Sequence, residues 1–137
     1  MPTKSARFSA RLPEDVAKSL VAYARLHRVS TSEAAVRLLD EALRAARHPG
    51  IDFRWTATGR RAFITGTGLA IWEFWMIWNS HGKSATRLRK AYPRLTPDQI
   101  TAGIAYIETY AGEAREECEA ATTFAPRQHK GVKIARV

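Results

Sequence analysis

Between Ser5 and Leu12 the chain reads SARFSARL, an alternation that puts Phe8, Ala10 and Leu12 on one side of an extended segment and Arg7, Ser9 and Arg11 on the other. Successive side chains of a strand point to opposite faces, so the spacing predicts a strand with one apolar and one wet side. Pro13 stops it. The period then changes: Val16, Leu20, Tyr23 and Ala24 recur at helical spacing, with Glu14 and Asp15 suited to the positive end of a helix dipole. After RVSTSE, where Ser30 and Glu33 have the spacing of a capping box, Ala35, Leu38, Leu39, Ala42, Leu43 and Ala46 predict a second helix. The order is strand, helix, helix.

A lone short strand leaves its backbone donors and acceptors unpaired, and nothing in the following forty or so residues reads as a partner strand. The economical solution is the same strand of a second copy, which predicts a homodimer. The resulting ribbon would bury Phe8 and Leu12 of both copies and present Arg7, Ser9 and Arg11 twice on its outer face. A two-stranded ribbon fits the major groove of double-stranded DNA, where Arg bonds two acceptors on guanine and Ser bonds several base edges. The bland alternative is an ordinary edge strand with Arg7 and Arg11 as solvated charges.

Over residues 4 to 47 the chain resembles the ribbon-helix-helix family of bacterial repressors and antitoxins, on RFSARL, PEDV and VSTSEAAVRLLDEAL. The resemblance implies that Arg7, Ser9 and Arg11 read bases and that Lys4, Ser30, Thr31 and Ser32 hold phosphate. A helix N-terminus is an anion site on physical grounds as well. The chain departs from the family at Arg28, where Gly is common in the inter-helix turn, and at Ala10, which is small for a ribbon core. A residue with a Cβ held at positive φ there costs about 1 kcal/mol.

His48, Pro49 and Gly50 end the second helical pattern, and a composition rich in aromatics and glycine begins. This divides the chain into 1–48, 49–117 and a flexible basic tail, 118–137. RRAFITGTGLAI reads as a short extended segment with a turn at Gly66 and Gly68. In IWEFWMIWNS only Glu73 interrupts the apolar residues, so a helix there has no face for water and should be buried on both sides. Trp72, Trp75 and Trp78 are accordingly expected in the core and in a dimer contact. Gly82 ends this helix, Ser84 caps SATRLRKAY, and Thr96, Pro97 and Gln99 open a long helix with Ile100, Ile104 and Ile107 inside. The expected fold is mostly α: a ribbon-helix-helix unit, then a small helix-turn-helix-like domain and a tail.

Residues 58 to 110 resemble family 433 of the domains of unknown function, on GTGLAIWEF and GKSATRLRKAYPRLTPDQITAGIAY, with Gly68 where that family usually has Arg. The resemblance implies a place in toxin-antitoxin operons, beside PIN-like ribonuclease toxins.

Charge sharpens this picture. The chain of 137 residues carries a net charge of +9, distributed as +4 over residues 1–50, +6 over 51–95, −4 over 96–117 and +3 over 118–137. A polyanion is the first partner to consider. Lys83, Arg87, Arg89, Lys90 and Arg94 lie together without an acid, beside Ser84. They form either a second DNA contact or a solvated face. In the tail, Phe124, Arg127, Lys130, Lys133 and Arg136 either enter the acidic cleft of a toxin or form a solubility tail or a nonspecific DNA arm.

The single cysteine, Cys118, forms no internal disulfide, and the four histidines lack metal spacing. No nucleophile with a base stands out, so neither an enzyme nor a cofactor is expected. Leu69 to Trp78, the longest apolar run, is about half of the ~20 residues a membrane span needs. With no signal sequence evident, the expected setting is the cytoplasm and the expected function a DNA-binding repressor and antitoxin. A stand-alone regulator or an architectural DNA-binding protein is the alternative.

Overall fold

The computed structural model describes residues 5–124, which form α1 (Glu14–Leu26), α2 (Thr31–Arg47), β1 (Ile51–Thr56), β2 (Gly59–Ile64), α3 (Ile71–Ser80), α4 (Ala85–Ala91) and α5 (Pro97–Phe124). Two compact units divide within α2, one ending at Ala42 and the other beginning at Leu43.

In the first unit, Pro13 offers its carbonyl to Ala17 N–H at 2.9 Å and α1 begins, with Glu14 and Asp15 in its first turn. The helix ends where Arg28 turns to φ 57°, which lets Val29 N–H reach back to the Ala24 carbonyl at 3.0 Å. Ser30 then caps α2, its hydroxyl accepting from Glu33 N–H at 3.0 Å as the capping spacing predicts. Little is buried. Among the described apolar side chains of this unit only those of Ala24 and Ala34 are fully enclosed, whereas Phe8 is 80% exposed, Leu26 76% and Val36 69%. Ser5–Pro13 forms neither strand nor helix. The strand expected there is not formed, and among the described residues no segment pairs with its backbone groups.

The second unit closes on itself. β1 and β2 pair antiparallel from Ile51↔Ile64 to Thr56↔Gly59, leaving Ala57 and Thr58 as the turn, with Gly59 at φ 118°. The extended RRAFIT segment is β2; its partner IDFRWT was not foreseen, and it makes the sheet two-stranded. Ile51, Ala62 and Ile64 share one face and form a single buried cluster with Phe74 and Ile77 of α3, Leu88 of α4, Leu95, and Ile100, Tyr106, Ile107 and Ala114 of α5. Gly103 lets α5 approach α3: a Cβ there would stand 2.7 Å from the Phe74 ring.

The aromatic helix meets expectation in part, with Trp75 and Trp78 packed against the core. Ile71, Glu73, Phe74 and Ile77 are buried, but Trp72, Trp75, Met76 and Trp78 are only half-buried. Helical geometry turns Trp72 and Met76 away from the Phe74 side, so one layer of neighbours covers α3 on one side. Glu73 is buried, where its carboxylate accepts from Ala70 N–H at 3.0 Å and caps the helix start. Thr96 and Gln99 make the reciprocal capping box, at 3.1 and 3.0 Å. α5 runs through buried Cys118 to Phe124, so residues 118–124, expected in the tail, are helical. No described helix is long and apolar enough to cross a membrane.

Candidate nucleic-acid interface

Two groups of basic and hydroxyl side chains are candidates for phosphate contact, one in each unit. In the first, Arg7, Ser9 and Arg11 are all exposed, and so are Phe8, Ala10 and Leu12 that alternate with them. Lys4 lies outside the described residues. Ser30, Thr31 and Ser32 are exposed at the start of α2, where the first N–H groups of any helix lack intrahelical acceptors. Ser30 Oγ already accepts the Glu33 N–H, so it serves the helix first.

In the second unit α4 rests on Leu88, fully buried, and on half-buried Tyr92, whose ring meets His81 edge-on at 5.7 Å. That anchoring turns Arg87, Arg89 and Lys90 outward, and Lys83 and Arg94 flank them, also exposed. Ser84 is half-buried and caps the helix through Arg87 N–H at 3.2 Å. Its hydroxyl is therefore a structural cap before it is a contact. Lys83 sits at φ 55° directly after Gly82 at φ 67°, and its N–H returns to the Trp78 carbonyl at 2.9 Å, ending α3. Of the tail residues, Arg127, Lys130, Lys133 and Arg136 lie outside the described residues, and Phe124 is the last residue of α5.

A third constellation was missed in the sequence. Arg44, in the last turn of α2, donates to Tyr106 Oη at 2.8 Å and to both Glu113 carboxylate oxygens at 3.1 Å, with its guanidinium carbon 4.0 Å from the Tyr110 ring centroid. Burial works to lower the Arg44 pKa, but the bonds to Glu113 and Tyr106 outweigh it and hold the guanidinium above its ordinary range. Burial also pushes the Tyr106 phenol up to about 12, against the pull of Arg44. Arg54, on β1, is held by Asp52 at 2.9 Å and by the Thr67 carbonyl at 2.8 Å. These arginines are consumed by the fold. The legible signal was the spacing of Tyr106, Tyr110, Glu113 and Glu117, which share one face of α5.

Cys118 is buried, and burial, with Glu119 nearby, raises its thiol above the ordinary value, which keeps it protonated and unreactive. Among the described residues no three His, Cys, Asp or Glu side chains gather as metal ligands would.

Residues 56–107, from the end of β1 to Ile107 of α5, match the model of a family described as Protein of unknown function (DUF433). The match coincides with the resemblance drawn over residues 58 to 110 and takes in α3, α4 and the start of α5. It does not reach the first unit. No curated protein and no solved structure matches the chain.

Proposed function

We propose that this protein is a homodimeric, sequence-specific DNA-binding repressor, paired through the Ser5–Leu12 segments of two copies. The observation that carries this reading is the uncovered apolar side of the first unit: Phe8 and Leu12 are exposed on an alternating segment without a strand partner, as are Leu26, Val36 and Leu39 on the two helices. Apolar surface of that extent marks an interaction surface. Pairing the segments would satisfy their backbone groups, cover Phe8 and Leu12, and leave Arg7, Ser9 and Arg11 outward to read base edges. Thr31 and Ser32, with Ser30 and Lys4, would hold phosphate at the start of α2.

The exposed Lys83, Arg87, Arg89, Lys90 and Arg94 form a second phosphate contact in this reading. Their support is that no ion pair among the described residues engages them. The finer role, antitoxin to a PIN-like ribonuclease with Arg127 or Arg136 entering its acidic cleft, is supported by the resemblance and by the basic composition of residues 118–137. Co-purification with such a nuclease tests it.

Selection of binding sites from random DNA, followed by Arg11→Ala and Arg7→Ala, tests the main reading. Each substitution should keep the dimer folded and cost about 1–3 kcal/mol for each guanine pair lost, with relaxed preference at that position. An Arg11→Ala protein that binds as tightly and selectively as wild type overturns it. Binding with little sequence preference and a steep salt dependence would identify an architectural protein instead.

A further inference from the structure

The far half of α5 carries two glutamates in unlike surroundings. Glu113 is gripped by Arg44 through both carboxylate oxygens at 3.1 Å. Glu117, one turn on, has only 18% of its side chain exposed, and its nearest guanidinium nitrogen, Nη1 of Arg61, stands 4.0 Å away. Arg61 makes only a long ion pair with it, since its Nη1 and Nη2 also donate to the Arg60 and Thr58 carbonyls at 3.0 Å each, which holds the guanidinium beside the β1–β2 turn. The charged groups acting on Glu117 are Arg61 from β2, Arg44 from α2, and Glu113 and Glu116 from α5 itself. Two of these four are like charges on the same helix. Buried Ala114 and Cys118 flank Glu117 on the side that packs inward.

The segment that holds Glu117 is also set apart from the rest of its helix. Tyr110 leaves helical geometry at φ −118° and ψ 29°, which divides α5 into two stretches. Gly112 follows, with no atom within 4 Å of where its Cβ would be, and glycine in a helix interior weakens it. Residues 111–124 therefore depend on side-chain contacts to stay in place. Those contacts include Ala114, Cys118, the Arg44–Glu113 pair and the long Arg61–Glu117 approach.

We propose that residues 111–124 of α5 form a pH-responsive arm, docked against the β1–β2 hairpin while Glu117 carries its proton and loosened when Glu117 ionises. Neutral Glu117 tolerates its partial enclosure and the neighbouring carboxylates; charged Glu117 loses water and meets Glu113 and Glu116, which the 4.0 Å approach of Arg61 offsets only in part. Burial pushes the Glu117 carboxyl from 4.5 up to about 7, with Arg61 pulling down and Glu113 adding to the rise. A carboxyl whose folded pKa lies above its unfolded value contributes most below about 4.5, and that contribution is lost as pH rises through 7. The arm is thus expected to loosen across the neutral range, in the direction opposite to that of a carboxylate locked in a short ion pair.

Hydrogen exchange of the full-length protein, corrected for the intrinsic effect of pH on amide exchange, reads this directly. Between about pH 5.5 and 8 the opening of residues 111–124 should increase roughly 30-fold, while residues 97–109 change little. Glu117→Gln, a neutral stand-in for the protonated side chain, should hold the arm at its low-pH protection throughout. A carboxyl titration of wild-type Glu117 by NMR should show an inflection near 7. An arm whose protection is independent of pH in wild type, an unchanged response in Glu117→Gln, or an inflection near 4.5 each overturns the proposal. The wild-type titration decides even if the variant fails to fold.

Discussion

The two units use the same helical periodicity, and one encloses a core while the other leaves most of its large apolar side chains exposed. The second surrounds Phe74, Leu88, Ile100 and Tyr106 on every side. The first encloses two alanines and leaves Phe8, Leu26 and Val36 largely in water. Covering a Phe, Leu or Val side chain is worth about 1.5–3 kcal/mol. A unit that forgoes this at several positions is marginal alone, and in the proposed dimer the second copy supplies the cover. Periodicity therefore tells which side of a helix is apolar, and only the structure tells whether the chain itself supplies the other half.

Substitutions at the two kinds of site sharpen that contrast. The largest effect is expected at Phe74, enclosed by α5 with Gly103 against its ring. Phe74→Ala should cost about 3–5 kcal/mol in denaturant unfolding of the second unit. Because that unit is closed by its own chain, the loss should be the same at low and high protein concentration. A concentration-dependent loss would mean that a partner completes this core as well. The smallest effect is expected at Arg28, held at φ 57° in the turn between α1 and α2. Arg28→Gly should stabilise the first unit by about 1 kcal/mol, seen as a rise in its unfolding midpoint, since glycine adopts that conformation without strain. No gain, or a loss, would show that the Arg28 side chain contributes enough contact to offset its backbone.

Much of the fold was legible because its signals are local. Ser30, Ser84 and Thr96 with Gln99 announce their helix starts within four residues, and each makes the cap bond its spacing implies. The Gly66 turn and the extended segment before it were readable for the same reason. β1 was not, because IDFRWT carries Asp52 and Arg54 at positions that look polar until Arg54 is seen pairing with Asp52 and lying 4.6 Å over the Phe63 ring. The tryptophan helix was read in part: Trp75 and Trp78 pack against the core, but composition gives hydrophobicity and not the number of layers one chain supplies to cover it. Arg44 with Tyr106 and Glu113 could not be read, since sixty or more residues separate the partners. The extent of α5 was misplaced because the basic tail begins in composition before the helix ends in structure. Of the proposed interface, the alternation of Arg7, Ser9 and Arg11 with Phe8 and Leu12 was plain in the sequence, and what the structure adds is that the apolar half of that alternation is uncovered.

That uncovered side makes Phe8 the residue on which the account turns. In a single chain it is 80% exposed, and replacing it should then change nothing. In a paired ribbon it is the largest anchor of the contact, and its loss removes one phenyl ring from each copy. Sedimentation equilibrium of wild-type and Phe8→Ala protein over a range of concentrations separates these cases. The account predicts wild type at twice the chain mass and Phe8→Ala shifted to the monomer, with the first unit losing helical signal and the second unit still folded. Wild type at the mass of one chain throughout, or two proteins that sediment alike, would contradict it.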